Sequence, residues 1–204
     1  MRKIILFILL VSVPVFCQPE NVALQCIDTS NLAGPVLNIL TLRIEEYWHT
    51  GQYNKIFPLF FLITRLDPGD DEAWATGGWF LMNGMAPLKL GKERERLKEK
   101  GVSFLKEGLG HVSDSYRLYW ELAWVYYQRG ELETSLGYLD DSVKYEHPSY
   151  VENTRAHVLA KLGRTNDALV QWKEIRRKYP EMRLVAERFI LELEKEKNDS
   201  EKNN

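Results

Sequence analysis

The feature that most constrains this chain is a helix–turn–helix pattern that returns about every 34 residues. It is clearest over residues 115–148. Tyr119, Leu122, Ala123 and Tyr126 fall at i, i+3, i+4 and i+7, on one face of a helix. Gly130 ends that helix, where glycine adopts the left-handed backbone freely. Leu132, Ser135, Leu136, Leu139 and Val143 make the apolar stripe of a second helix, and Pro148 stops it. The pattern returns 33 residues later with Ala156, Leu159, Leu162 and Gly163, then Ala168, Leu169, Trp172, Ile175 and Pro180. Ser149 and Glu152 read as an S-x-x-E capping box, and Thr165 as the cap of the following helix. Upstream, Leu40, Ile44, Tyr47 and Gly51 lead into Ile56, Phe60, Ile63 and Pro68. The unit between carries Trp74, Gly77, Gly78 and Leu81, then Gly101, Leu105 and Gly108, with spacing that predicts an insertion near residues 85–95.

These residues resemble the tetratricopeptide repeat (TPR) family, with its W-x2-L-G-x2-Y, A-x3-F and P positions. Tyr119-x2-Leu122-Ala123-x2-Tyr126 and Ala168-x3-Trp172 carry the likeness best. Glu152 and Arg155 depart from it in slots that hold large apolar residues, and Ile44 and Ile56 replace its small pair. The resemblance implies an all-α, right-handed α-solenoid of about four TPR-like helix-turn-helix repeats. Their bounds are about 36–69, 70–114, 115–148 and 149–180. Ala123 with Ser135, Ala156 with Ala168, and Gly78 with Gly101 then meet where paired helices cross. Residues 181–197 read as a capping helix, with Leu184, Val185, Phe189 and Leu193 covering the open end of the stack. The polar residues 198–204 read as a disordered tail.

At the other end, Arg2 and Lys3 precede an apolar run over 4–16 that is shorter than the roughly 20 residues a spanning helix needs. The expectation is a signal peptide over 1–17, an N-terminal extension over 18–35, and a periplasmic or cell-envelope location. A lipid anchor on Cys17 is the alternative, although Phe16 is bulkier than the residue that usually precedes such a cysteine. Without Cys17, Cys26 has no partner within the chain.

The remaining composition is that of a globular protein, with 45% apolar and 27% charged residues. Its net charge of -2 gives no general pull toward nucleic acid. No H-E-x-x-H, C-x-x-C, phosphate-binding glycine loop or G-x-S-x-G elbow occurs, and His49, His111, His147 and His157 are scattered. The reading is therefore a non-enzyme, with no cofactor, metal or small-molecule substrate. The alternating charges over 92–100 read as the solvated start of a helix. The turn before it, Met85, Ala86, Pro87, Leu88 and Leu90, is more apolar than a free loop needs. It reads as packing on its own repeat, with docking on a partner as the alternative.

The first helix of each unit offers a second stripe. Trp120, Trp124 and Tyr127 lie at i, i+4 and i+7, beyond what a two-helix core requires. The family resemblance puts this face on the concave side. It adds Thr41, Glu45 and Trp48, then Ala75, Trp79 and Met82, then Asn153, His157 and Ala160. The partner-binding groove is thus expected to involve Trp48, Trp79, Met82, Trp120, Trp124, Tyr127 and His157. Large aromatics dominate binding hot spots. The alternatives are rings packed between repeats, or residues 18–35 folded back into the groove. Some TPR domains hold a C-terminal carboxylate with several cations, but only Arg117 and Lys161 are offered here. The functional expectation is an adaptor or assembly factor for a protein partner in a bacterial envelope. A self-associating scaffold and a non-catalytic subunit of an envelope enzyme are the alternatives.

Overall fold

The computed structural model describes residues 33–202. The signal-peptide reading, both cysteines and most of the 18–35 extension lie outside the described residues. Nine α-helices are found among the described residues: α1 (Ala33–His49), α2 (Ile56–Leu66), α3 (Asp71–Trp79), α4 (Gly91–His111), α5 (Tyr116–Gln128), α6 (Leu132–Ser142), α7 (Ser149–Lys161), α8 (Thr165–Lys178) and α9 (Arg183–Lys202). Each packs chiefly on its neighbours in the chain, and α3 also meets α5. This is the stacking of a solenoid, in which successive units share one continuous core.

The turns inside the first, third and fourth pairs are built alike. Gly51, Gly130 and Gly163 have φ of 70°, 77° and 73°. The residue after each glycine donates its N–H back into the helix: Gln52 to Tyr47, Glu131 to Tyr126, and Arg164 to Leu159, at 2.8–3.0 Å. These are Schellman closures, and they satisfy carbonyls that the helix end would leave bare.

The second pair departs from this plan. After Trp79 the chain continues through a π-helical turn (Phe80–Met85) and a 3-10 turn (Ala86–Leu88) before α4 begins. The expected insertion is therefore not one free loop: it is absorbed as an extended first helix and a 21-residue second helix.

Two caps form as ordinary side-chain caps: Asp70 accepts from the Ala73 N–H at 2.9 Å, and Ser115 from Leu118 at 3.2 Å. The expected caps on α7 and α8 do not form. Pro148 and Arg164 occupy the cap positions without a side-chain hydrogen bond, and Ser149 and Thr165 are already helical. Glu152 is drawn inward instead. It accepts from Lys178 at 2.6 Å, Tyr179 at 3.0 Å, and His147 and Gln171 at 3.1 Å. Arg155, in the other unusual slot, bonds Asp140 at 2.7 Å and Gln171.

One core cluster gathers Ile56, Trp74, Phe80, Leu81, Leu105 and Leu122. A second gathers Leu139, Val151, Leu159, Trp172 and Ile175. Helix α9 closes the second cluster with Ala186, Ile190 and Leu193, while Leu184 is 80% exposed. Leu184 thus lies off the buried stripe, a correction to the expected register. The helix also runs to Lys202 rather than stopping at Lys197, because residues 194–202 contain no glycine or proline to end it.

Candidate protein-binding face

The face in question is carried by α1, α3, α5 and α7. At its α1–α3 end lies a cleft of about 260 Å³ lined by Ile44, Glu45, Trp48, Ile56, Phe60, Thr76, Trp79 and Phe80. Its floor is core: Ile56 and Phe80 are almost fully buried. Its walls are not, since Trp48 is 43% and Trp79 38% exposed. Trp48 is held edge-on by Tyr53 at 5.6 Å and Phe80 at 6.1 Å between ring centroids. The result is an apolar depression between two amphipathic rings, with Trp48 held in place by its aromatic neighbours before anything binds. Polar groups are few: the Glu45 carboxylate, and Thr76, which donates to Glu72 at 2.8 Å.

A second aromatic station sits on α5. Trp120 and Trp124 are stacked at 6.0 Å, and Trp124 and Tyr127 at 5.2 Å. These rings are partly engaged within the molecule. Trp120 donates to the Thr154 hydroxyl at 3.1 Å and meets Tyr150 edge-on at 4.9 Å, bracing α5 against α7. Lys161 lies 4.6 Å from the Tyr127 ring centroid. Arg117 is paired with Glu72 across repeats. The two cations that this face offers are thus each already engaged.

Two residues of the expected groove are turned inward. Met82 is 7% exposed, its thioether filling the space beside Gly101. His157 packs edge-on against Trp172 at 5.0 Å and Phe189 at 4.5 Å, under the capping helix. Burial, aided by Arg188 and Lys161 nearby, lowers its pKa. Ala75, from the same stripe, is fully buried. Ile44 and Phe60 satisfy the core pattern and carry no separate signal for this face, while Phe80 and Tyr150 join it only through their contacts with Trp48 and Trp120.

The sequence also hides a buried carboxyl. Glu121 lies on the stripe Leu118, Glu121, Leu122, Val125 and is 7% exposed. It accepts no hydrogen bond among the described residues. Burial pushes its pKa up to about 7, against a smaller opposing pull from Arg117.

The described chain has the fold of a TPR solenoid. Its backbone is similar to that of MamA, with a TM-score of 0.61 and 14% identity over 81% of this chain and 84% of that one. It is also similar to YrrB, described as a TPR protein with an unusual peptide-binding site, with a TM-score of 0.51 and 16% identity over 72% and 69% of the two chains. No family model matches the sequence, and no curated protein does.

Proposed function

We propose that this protein is a non-catalytic protein-interaction module. Its cleft between Trp48 and Trp79 takes an apolar side chain from an extended peptide or helix of a partner. The observation that carries this reading is the pair of exposed tryptophans flanking a ready-made apolar cleft, on neighbouring repeats of a solenoid fold. Exposed indoles on a soluble surface cost solvation unless something covers them, and Trp is enriched where truncation removes about 2 kcal/mol or more of binding. The signal-like N-terminus supports work as an adaptor or assembly factor in a bacterial envelope.

The test is affinity capture from the native envelope with the parent protein and with a folded Trp48→Ala/Trp79→Ala variant. A partner held by the parent and lost by the variant is the expected result. Equal capture by both would remove the cleft from the mechanism. One observation favours self-association as a second reading: Val36, Ile39 and Leu42 stand 39%, 58% and 69% exposed along α1. Sedimentation equilibrium across a concentration series distinguishes the two readings.

A further inference from the structure

We propose that the turn over residues 87–92 is a membrane-contact site that seats on an anionic lipid surface. None of these residues lines the tryptophan cleft, and the proposal stands independently of the binding function above.

Six consecutive residues, Pro87, Leu88, Lys89, Leu90, Gly91 and Lys92, are exposed. Leu88 is 62% and Leu90 81% exposed. The turn is nevertheless well anchored. Ala86 before it is fully buried, Leu97 after it is buried, and Arg94 donates to the Lys89 carbonyl at 2.9 Å. Lys89 and Leu90 are both extended, with φ/ψ of -118°/164° and -122°/158°. Side chains alternate along extended backbone, so Lys89 and Leu90 project to opposite sides, while Leu88 stands exposed at the end of the 3-10 turn.

The charges around them are arranged to suit. Glu93 is engaged by Arg96 and Glu95 by Lys98. Neither Lys89 nor Lys92 forms an ion pair among the described residues. The turn therefore shows two exposed leucines and two exposed lysines outside any ion pair, with the Lys89 charge also acting on Glu93. Leu90 also occupies the cap position of α4 without a side-chain hydrogen bond. Leucine is among the poorest residues there, so this choice does nothing for the helix.

Adjacent leucines that sit in the acyl boundary, with lysines reaching back to phosphates, are what an anionic bilayer accepts. A protein hot spot needs a matching pocket for each leucine, whereas a fluid lipid interior needs none. Loss of two lysines near an anionic surface is expected to weaken partition about tenfold or more.

The test is co-sedimentation of the full chain with phosphatidylcholine vesicles, with and without phosphatidylglycerol. Both Leu88→Ser/Leu90→Ser and Lys89→Glu/Lys92→Glu should reduce partition onto the phosphatidylglycerol vesicles. Salt should weaken the parent's binding, and Val170→Ser, at an exposed position on α8, should change nothing. Circular dichroism checks that the variants stay folded. Failure of the parent to bind would overturn the proposal. Equal binding by parent and variants would overturn it too, assigning the membrane contact to another segment such as residues 4–16. So would binding of the parent to polyglutamate but not to vesicles, which would identify an acidic protein as the occupant.

Discussion

Gly78 and Gly101 face each other backbone to backbone where α3 crosses α4. A Cβ built on Gly101 would stand 2.9 Å from the Gly78 carbonyl oxygen and 2.5 Å from Met82 Cγ. The carbonyl is locked in a helix and cannot yield. Alanine for glycine in a helix ordinarily gains about 1 kcal/mol. Here Gly101→Ala is expected to lose about 1–3 kcal/mol net, because overpacking dominates. A urea midpoint that rises instead would show that the crossing is looser than described. Ala156→Leu, at a fully buried position in the fourth pair, is expected to cost a similar amount.

Glu121 gives the fold a pH dependence of defined sign. Its folded pKa of about 7 lies above the ordinary 4.5. Its contribution is fully favourable below pH 4.5 and is lost as pH rises through about 7, when a buried carboxylate must ionise. Glu121→Gln is therefore expected to stabilise the protein by up to about 3 kcal/mol at pH 8 and by little at pH 4. Chemical denaturation of both proteins at the two pH values measures this. A difference independent of pH would place the carboxyl in contact with water.

Glu152 has the opposite sign. Burial, the largest single influence, raises its pKa, but hydrogen bonds from Lys178, His147 and Tyr179 together outweigh it and the net shift is downward. Its stabilisation is present above the ordinary 4.5 and is lost as pH falls through the lower folded value. Glu152→Ala leaves several donors without an acceptor and should cost about 3 kcal/mol at neutral pH. The gap between parent and variant should narrow in acid. A gap that stays constant down to pH 3 would mean that packing, not charge, is what the substitution removes.

The tryptophans should divide into two groups. Trp172 is fully buried, and Trp172→Ala is expected to cost about 3–5 kcal/mol. Trp48 is 43% exposed on the cleft wall, and Trp48→Ala should cost about 1–2 kcal/mol. Denaturant midpoints separate the groups. An equally severe loss at Trp48 would make that ring structural and weaken the binding reading.

Much of this organisation is written in the linear sequence, because a repeat states each local rule several times over. Apolar positions at helical spacing, with Gly51, Gly130 and Gly163 at matching offsets, determine where helices run and where they turn. Small residues at fixed places mark the crossings. These are local signals, and neighbouring units reinforce them. The sequence equally determined that large aromatics would line the first helices. It did not decide which of them would face solvent. Met82 was drawn into the gap beside Gly101, His157 was covered by α9, and Glu152 left its cap to serve four donors. Each outcome depends on a residue 19 or more positions away, such as Gly101, Phe189 or Gln171, and one-dimensional periodicity carries no information about such contacts. Burial is a property of what packs opposite a side chain, so only the tertiary structure could separate the exposed Trp48 and Trp79 from rings that share their helical register.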